Sequence, residues 1–204
     1  GDNRFATGLN LGTGVQVGGT TRVDTQGTLA TTGNALDLAV EGAGYFQVLM
    51  PDGRTGFTRA GNFTLSPEGT IVTPSGLPLQ PQIQVPEGTT QITIGSDGTV
   101  SAQLPGQAAL SQLGRIETAR FMNPAGLAPG GDNILMETQA SGTPQTGAPG
   151  EAGRGMIRSG ALEGSNVNVV EELVDMIETQ RAYEVNSKMI QAADEMMRNA
   201  AQNL

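Results

Sequence analysis

The sequence predicts an antiparallel, mainly β body of short strands followed by one long C-terminal α-helix. Two observations carry that expectation. All 30 glycines and all 11 prolines of the 204-residue chain lie ahead of Ser165, and Gly and Pro at that density punctuate a chain into short strands and turns. The closing stretch, SNVNVVEELVDMIETQRAYEVNSKMIQAADEMMRNAAQNL (165–204), holds neither, and its apolar residues recur at helical spacing.

Residues 1–34 are Gly- and Thr-rich, with brief apolar alternation at Val15 and Val17, and read as an extended connecting segment. The β signal strengthens over 35–138, the expected outer β domain. Leu36, Leu38 and Val40 alternate with Asp37, Ala39 and Glu41, the period-two pattern of a half-buried strand. YFQVLM (45–50) follows as a second strand, closed by the turn PDG (51–53). Similar punctuation recurs at SPEG (66–69), PSG (74–76), PEG (86–88) and SDG (96–98). QITIGSDGTVSA reads as a hairpin with Ile92 and Ile94 facing Val100 and Ala102. GRIETARFM (114–122) and NILMET (133–138) are further strands. With aromatics at 3% of the chain, the core is expected to rest on Val, Ile, Leu and Ala. Residues 139–164, opening with QASGTPQTGAPGEAGRG, have little to bury and read as a returning linker.

The tail, 165–204, begins with Asn168 as an N-cap and Glu171 three residues later as its capping-box partner. Glu171, Glu172 and Asp175 place negative charge where the helix dipole favours it. Met176, Tyr183, Ile190, Met197 and Leu204 recur every seven residues. Val169, Leu173 and Ile177 precede or flank that line, and Met189, Ala193 and Met196 lie beside it, with Arg181, Lys188, Glu195 and Gln202 opposite. These apolar residues are the candidate assembly surface. Burying each large side chain is worth about 1.5–3 kcal/mol, and an isolated helix that leaves them wet is marginal. A partner helix is therefore expected, on another molecule or in a segment preceding this one.

Composition excludes several function classes. A net charge of −9 supplies no cationic surplus for phosphate or anionic lipid. With neither His nor Cys, the chain cannot build a His-dependent triad, a thiol nucleophile or an imidazole or thiolate metal site. Lys188, the single lysine, falls on the polar face of the tail. GTG (12–14) and GAG (42–44) lack the remainder of a phosphate loop, and GGDN (130–133) reads as a turn without the ligand spacing of a Ca²⁺ loop. A carboxylate pair suited to glycoside hydrolysis is the remaining catalytic possibility. The expectation is no enzyme, no cofactor, no metal, no nucleic-acid partner and no membrane insertion.

LEGSNVNVVEELVDMIETQRAYEVNSK (162–188) closely resembles the C-terminal signature of the flagellar rod and hook axial family, nearest to its distal-rod members. The resemblance continues in order through LNLGTGVQV (9–17), QGTLATTGNALDLAVEGAGYFQV (26–48), PDGRTGFTRAGNF (51–63), ITIGSDGTVS (92–101) and RFMNPAGLAPGGDNIL (120–135), spanning nearly the whole chain. It implies a structural subunit of a hollow helical tube, with terminal helices packed as an inner intersubunit layer and the β domain outside. It implies homo-oligomerisation, contacts with proximal rod proteins, the hook protein and the surrounding P- and L-ring proteins, a place in the basal body from periplasm to outer membrane, and delivery by the flagellar type III apparatus. Members of that family begin with a second long amphipathic helix, and on this expectation the chain starts in the segment after it. The alternatives are a proximal-rod or hook-type axial protein, or a secreted carbohydrate-binding or hydrolytic domain.

Overall fold

The computed structural model describes residues 22–106 and 109–202. The alternation at Val15 and Val17, the GTG at 12–14 and the candidate residue Leu204 lie outside the described residues. The body is a succession of short strands, as its turn density requires: β1 (Leu29–Thr31), β2 (Leu38–Glu41), β3 (Tyr45–Leu49), β4 (Thr55–Thr58), β5 (Thr64–Leu65), β6 (Ile71–Val72), β7 (Leu79–Gln80), β8 (Gln91–Ile94), β9 (Thr99–Gln103), β10 (Leu110–Arg115), β11 (Thr118–Arg120), β12 (Ala128–Gly131), β13 (Ile134–Met136), β14 (Gln145–Gly147), β15 (Met156–Ser159) and β16 (Ala161–Glu163). One helix, α1 (Val169–Gln202), follows them.

The strand pairings are antiparallel. The largest sheet runs β12-β13-β4-β3-β11-β14, and β7 shares with β11 the free edge of β3. A second sheet runs β10-β9-β8. Its β8–β9 hairpin has the register expected from the sequence, Ile92 opposite Ala102 and Ile94 opposite Val100. Asp97 closes that turn by accepting from the Thr99 N–H at 3.2 Å and its hydroxyl at 2.6 Å, bonds that hold its carboxyl below the usual range. Gly98 sits at φ +83, and a Cβ there would stand 2.3 Å from the Ile116 carbonyl oxygen, so the position is closed to any side chain. GGDN is also a turn: Asp132 and Asn133, at φ 49 and 59, join β12 to β13 in the left-handed geometry of a tight hairpin.

Strand β3 divides two cores, because successive side chains point to opposite faces. Phe46 and Val48 are fully buried; Phe46 packs with Leu38, Phe63, Ile71, Leu79 and Val100. Tyr45 points the other way, toward Phe57, Ala119, Phe121 and Leu127. Aliphatic residues do line both cores, but rings centre them. Phe46 meets Phe63 edge-on at 5.2 Å and Phe57 meets Phe121 at 4.7 Å, a geometry that adds to their area burial.

Two details depart from the sequence reading. Ala39, assigned to the polar side of β2, is as buried as its neighbours Leu38 and Val40, since β2 is covered on both faces. The stretch 139–164 is not a bare linker. It carries β14, which extends the large sheet beside β11; β15, which pairs with β2; and β16, which pairs with β1. A ladder is built from backbone N–H and C=O groups, so a Gly-rich segment with few apolar side chains can still add strands. Ile157 and Ala161 supply its buried contacts.

Candidate assembly surface

The body ends in a neck where the entering and departing chains lie side by side. Strands β1 and β16 pair over three residues, Leu29 opposite Glu163 and Thr31 opposite Ala161. Gly27 crosses the departing chain so closely that a Cβ would fall 2.0 Å from the Gly164 carbonyl oxygen. Glu163 is the latch. One carboxylate oxygen accepts from the Gly27 N–H at 3.0 Å and the other from Arg59 Nε at 2.9 Å, and its side chain is only 10% exposed. The Arg59 guanidinium also donates to the carbonyls of Val40, Gly42 and Gly44. Below the latch, Asn166 donates its amide to the carbonyls of Val23 and Thr25 and to the Thr25 hydroxyl. Tyr45 donates its phenolic O–H to Asp24. Burial first, and that carboxylate second, push the Tyr45 phenol above its ordinary value; Arg22 and Arg59 oppose the shift.

Helix α1 leaves from this neck. Asn168 Oδ1 accepts the Val170 N–H at 3.2 Å, satisfying one of the donors a helix start leaves open, and the Asn168 carbonyl accepts the Glu172 N–H at 3.1 Å as the first bond of the helical ladder. Among the described residues no bond returns from Glu171 to Asn168, so the cap is one-sided rather than a full box. The 34 residues span about 51 Å at 1.5 Å per residue. The large apolar side chains of α1 stand open to solvent, from 51% exposed at Leu173 and Ile177 to 76% at Tyr183. Met176, Met189, Ile190, Met196 and Met197 lie between those values, Val169 among them, and Ala193 is exposed as well.

These candidate residues do not share one face. At about 100° per residue, Val169, Val170, Leu173, Val174, Met176 and Ile177 cover an arc of about 160° at the base of α1. Ala182, Tyr183, Val185, Met189, Ile190, Ala193, Met196 and Met197 cover an arc of similar width, about 160°, on the opposite side. The heptad line from Met176 to Met197 runs along the border between them, drifting by about 20° per seven residues. The exchange occurs over Glu178–Arg181, within about one turn. The neck, by contrast, carried no local sequence signal, because the bonds of Glu163 and Asn166 join residues 104 to 143 positions apart.

Comparison with known proteins accords with this architecture. Residues 39–102 match the model described as the flagellar hook protein FlgE/F/G D1 domain, and residues 158–203 match that described as the flagellar basal body rod FlgEFG protein C-terminal region. The chain is 46% identical to the flagellar basal-body rod protein FlgG of Buchnera aphidicola from Acyrthosiphon pisum, over 98% of this chain and 77% of the relative. It is 44% identical to the FlgG of Caulobacter vibrioides, over 98% and 76%. A Caulobacter protein named flagellar basal-body rod protein FlgF is 37% identical, over 91% and 72%. The chain belongs to the flagellar basal-body rod protein family.

Proposed function

We propose that this protein is the structural subunit of the distal rod, polymerising into a hollow helical drive shaft that carries torque from motor to hook. The observation that carries the reading is a 34-residue helix whose large apolar side chains are uncovered on both sides. Such a helix is marginal alone, and a homopolymer supplies its cover. In this reading α1 forms the inner layer and the β body faces outward. The subunit meets proximal rod proteins on one side and the hook protein on the other. It turns within the P- and L-ring proteins between periplasm and outer membrane, after delivery through the flagellar type III apparatus. Relatives named as rod proteins over nearly the full chain support this.

The test is electron microscopy of the full-length subunit under polymerising conditions, beside a variant lacking residues 165–204. Tubes are expected from the first and none from the second, whose β body remains folded because its cores draw on no residue of α1. Tubes from the deletion variant would refute the role given to the helix.

A further inference from the structure

We infer that Asn166 is a positioning residue: through an extended strap, residues 22–26, it ties the root of α1 to the β body and fixes the direction in which the helix leaves. Beyond Gly164 the departing chain has a single polar attachment. Among the described residues, the only hydrogen bonds from this stretch to the body are the three of the Asn166 amide. They run 3.2 Å to the Val23 carbonyl and 3.0 Å to both the carbonyl and the hydroxyl of Thr25. The neighbouring bonds are internal: Ser165 Oγ accepts the Val167 N–H, and Asn168 caps α1. Neither core draws on a described residue of this stretch.

The strap is fastened at its other side. In an extended chain, side chains alternate between the two faces and carbonyls between the two edges. Arg22, Asp24 and Gln26 fall on one face, and all three are bound to the body. Arg22 Nη2 donates to the Pro124 carbonyl at 2.9 Å, and Asp24 accepts from the Tyr45 hydroxyl. Gln26 donates to the Val40 carbonyl at 2.8 Å and accepts the Gly42 N–H at 3.1 Å. The carbonyls of Val23 and Thr25 share one edge, and both go to Asn166. Val23, on the free face, is 70% exposed. A hollow of about 590 Å³ lies between the strap and the β12–β13 hairpin, so on that side nothing packs against it and its side-chain bonds hold it in place.

The β1–β16 ribbon alone would let α1 pivot about Gly164, where the ribbon ends. An attachment off the covalent path removes that freedom. Because the strap is bound in turn to the turn at Pro124, to β3 and to β2, the root of α1 is referred to three separate parts of the body. In the shaft proposed above, this tie takes the bending load between body and helix. The direction itself belongs to the single subunit and is tested there, apart from the polymer reading.

No cysteine occurs in the 204 residues, so two spin labels can be placed without interference. Glu172→Cys in the first turns of α1 and Gln112→Cys on β10 are both exposed positions. Double electron–electron resonance on the free full-length subunit should give one narrow distance distribution. Asn166→Ala should widen it at least twofold while leaving the urea midpoint of the body unchanged. Arg22→Ala with Asp24→Ala, which releases the opposite side of the strap, should widen it similarly. All three changes together should add no further width, because they cut one tie in two places. Should Asn166→Ala not fold, Asn166→Asp replaces it, setting a carboxylate against the two carbonyls. An unchanged width for the Asn166 variant overturns the inference, as do widths that add or a parent distribution as broad as the variants'. Each of these outcomes leaves the polymer reading to the tubes themselves.

Discussion

Replacing Glu163 by Ala tests whether the neck is a structural latch. The substitution leaves the Gly27 N–H without its acceptor and strips the Arg59 guanidinium of its carboxylate. Breaking a fully buried ion pair from one side costs about 3–5 kcal/mol. Here the side chains are 10% and 20% exposed, and Arg59 keeps three carbonyl acceptors, on Val40, Gly42 and Gly44. Those remaining bonds lower the expectation to about 2–3 kcal/mol, at the low end of one charged hydrogen bond plus one orphaned amide. Glu163→Gln retains one acceptor for one of the two donors, and about 1–2 kcal/mol is expected. The assay is urea denaturation of the full chain, followed by tyrosine fluorescence, which no tryptophan masks. Hydrogen exchange at Leu29–Thr31 and Ala161–Glu163 locates the loss. A pair this enclosed is weakly screened, so the difference persists in high salt. A Glu163→Ala protein within about 0.5 kcal/mol of the parent, the range of ordinary surface changes, would refute the latch.

Phe46→Ala removes a fully buried ring and its edge contact with Phe63, and a loss of about 3–5 kcal/mol is expected, read from the same urea transition. Tyr45, whose phenol is raised in the folded state, contributes stability that is complete below the ordinary tyrosine value of about 10 and declines as pH climbs past it, because only the unfolded chain then releases the proton readily. Denaturation between pH 8 and 11 should show that decline, and Tyr45→Phe should flatten it. Ala193→Leu enlarges a small exposed residue of α1. It should raise the subunit concentration needed for tubes while leaving the urea midpoint of the body unchanged; a lowered midpoint would place Ala193 in the fold rather than in assembly.

Local signals in the sequence translated well into structure, and distant ones did not. The β8–β9 hairpin was legible because alternation and a turn residue sit within one short stretch, and the long helix because Gly and Pro vanish from the tail together. The strands of 139–164 were hidden for the converse reason: Gln145–Gly147 has almost no side-chain signature, and its ladder comes from the backbone of β11. The latch was equally hidden, since nothing near Glu163 marks Gly27 or Arg59 as its partners. The exchange of apolar faces along α1 is a different matter. It is written plainly in the order of residues, but a seven-residue ruler laid on a 3.6-residue helix follows the border between the faces and merges them.

The pairing of β1 with β16 also makes the β body a detour with a closed mouth. The chain enters at Thr28 and leaves at Gly164 within one backbone hydrogen bond of 2.8 Å. Everything between therefore leaves and returns at one place, so loops remote from the mouth are free to grow or shrink without displacing the segments on either side. Joining the two lips of the mouth by a short Gly-Ser bridge should yield a miniature subunit that keeps its helix and loses its β body. In the rod proposed above, a subunit built this way can change its β body without redesigning the helix that assembles it.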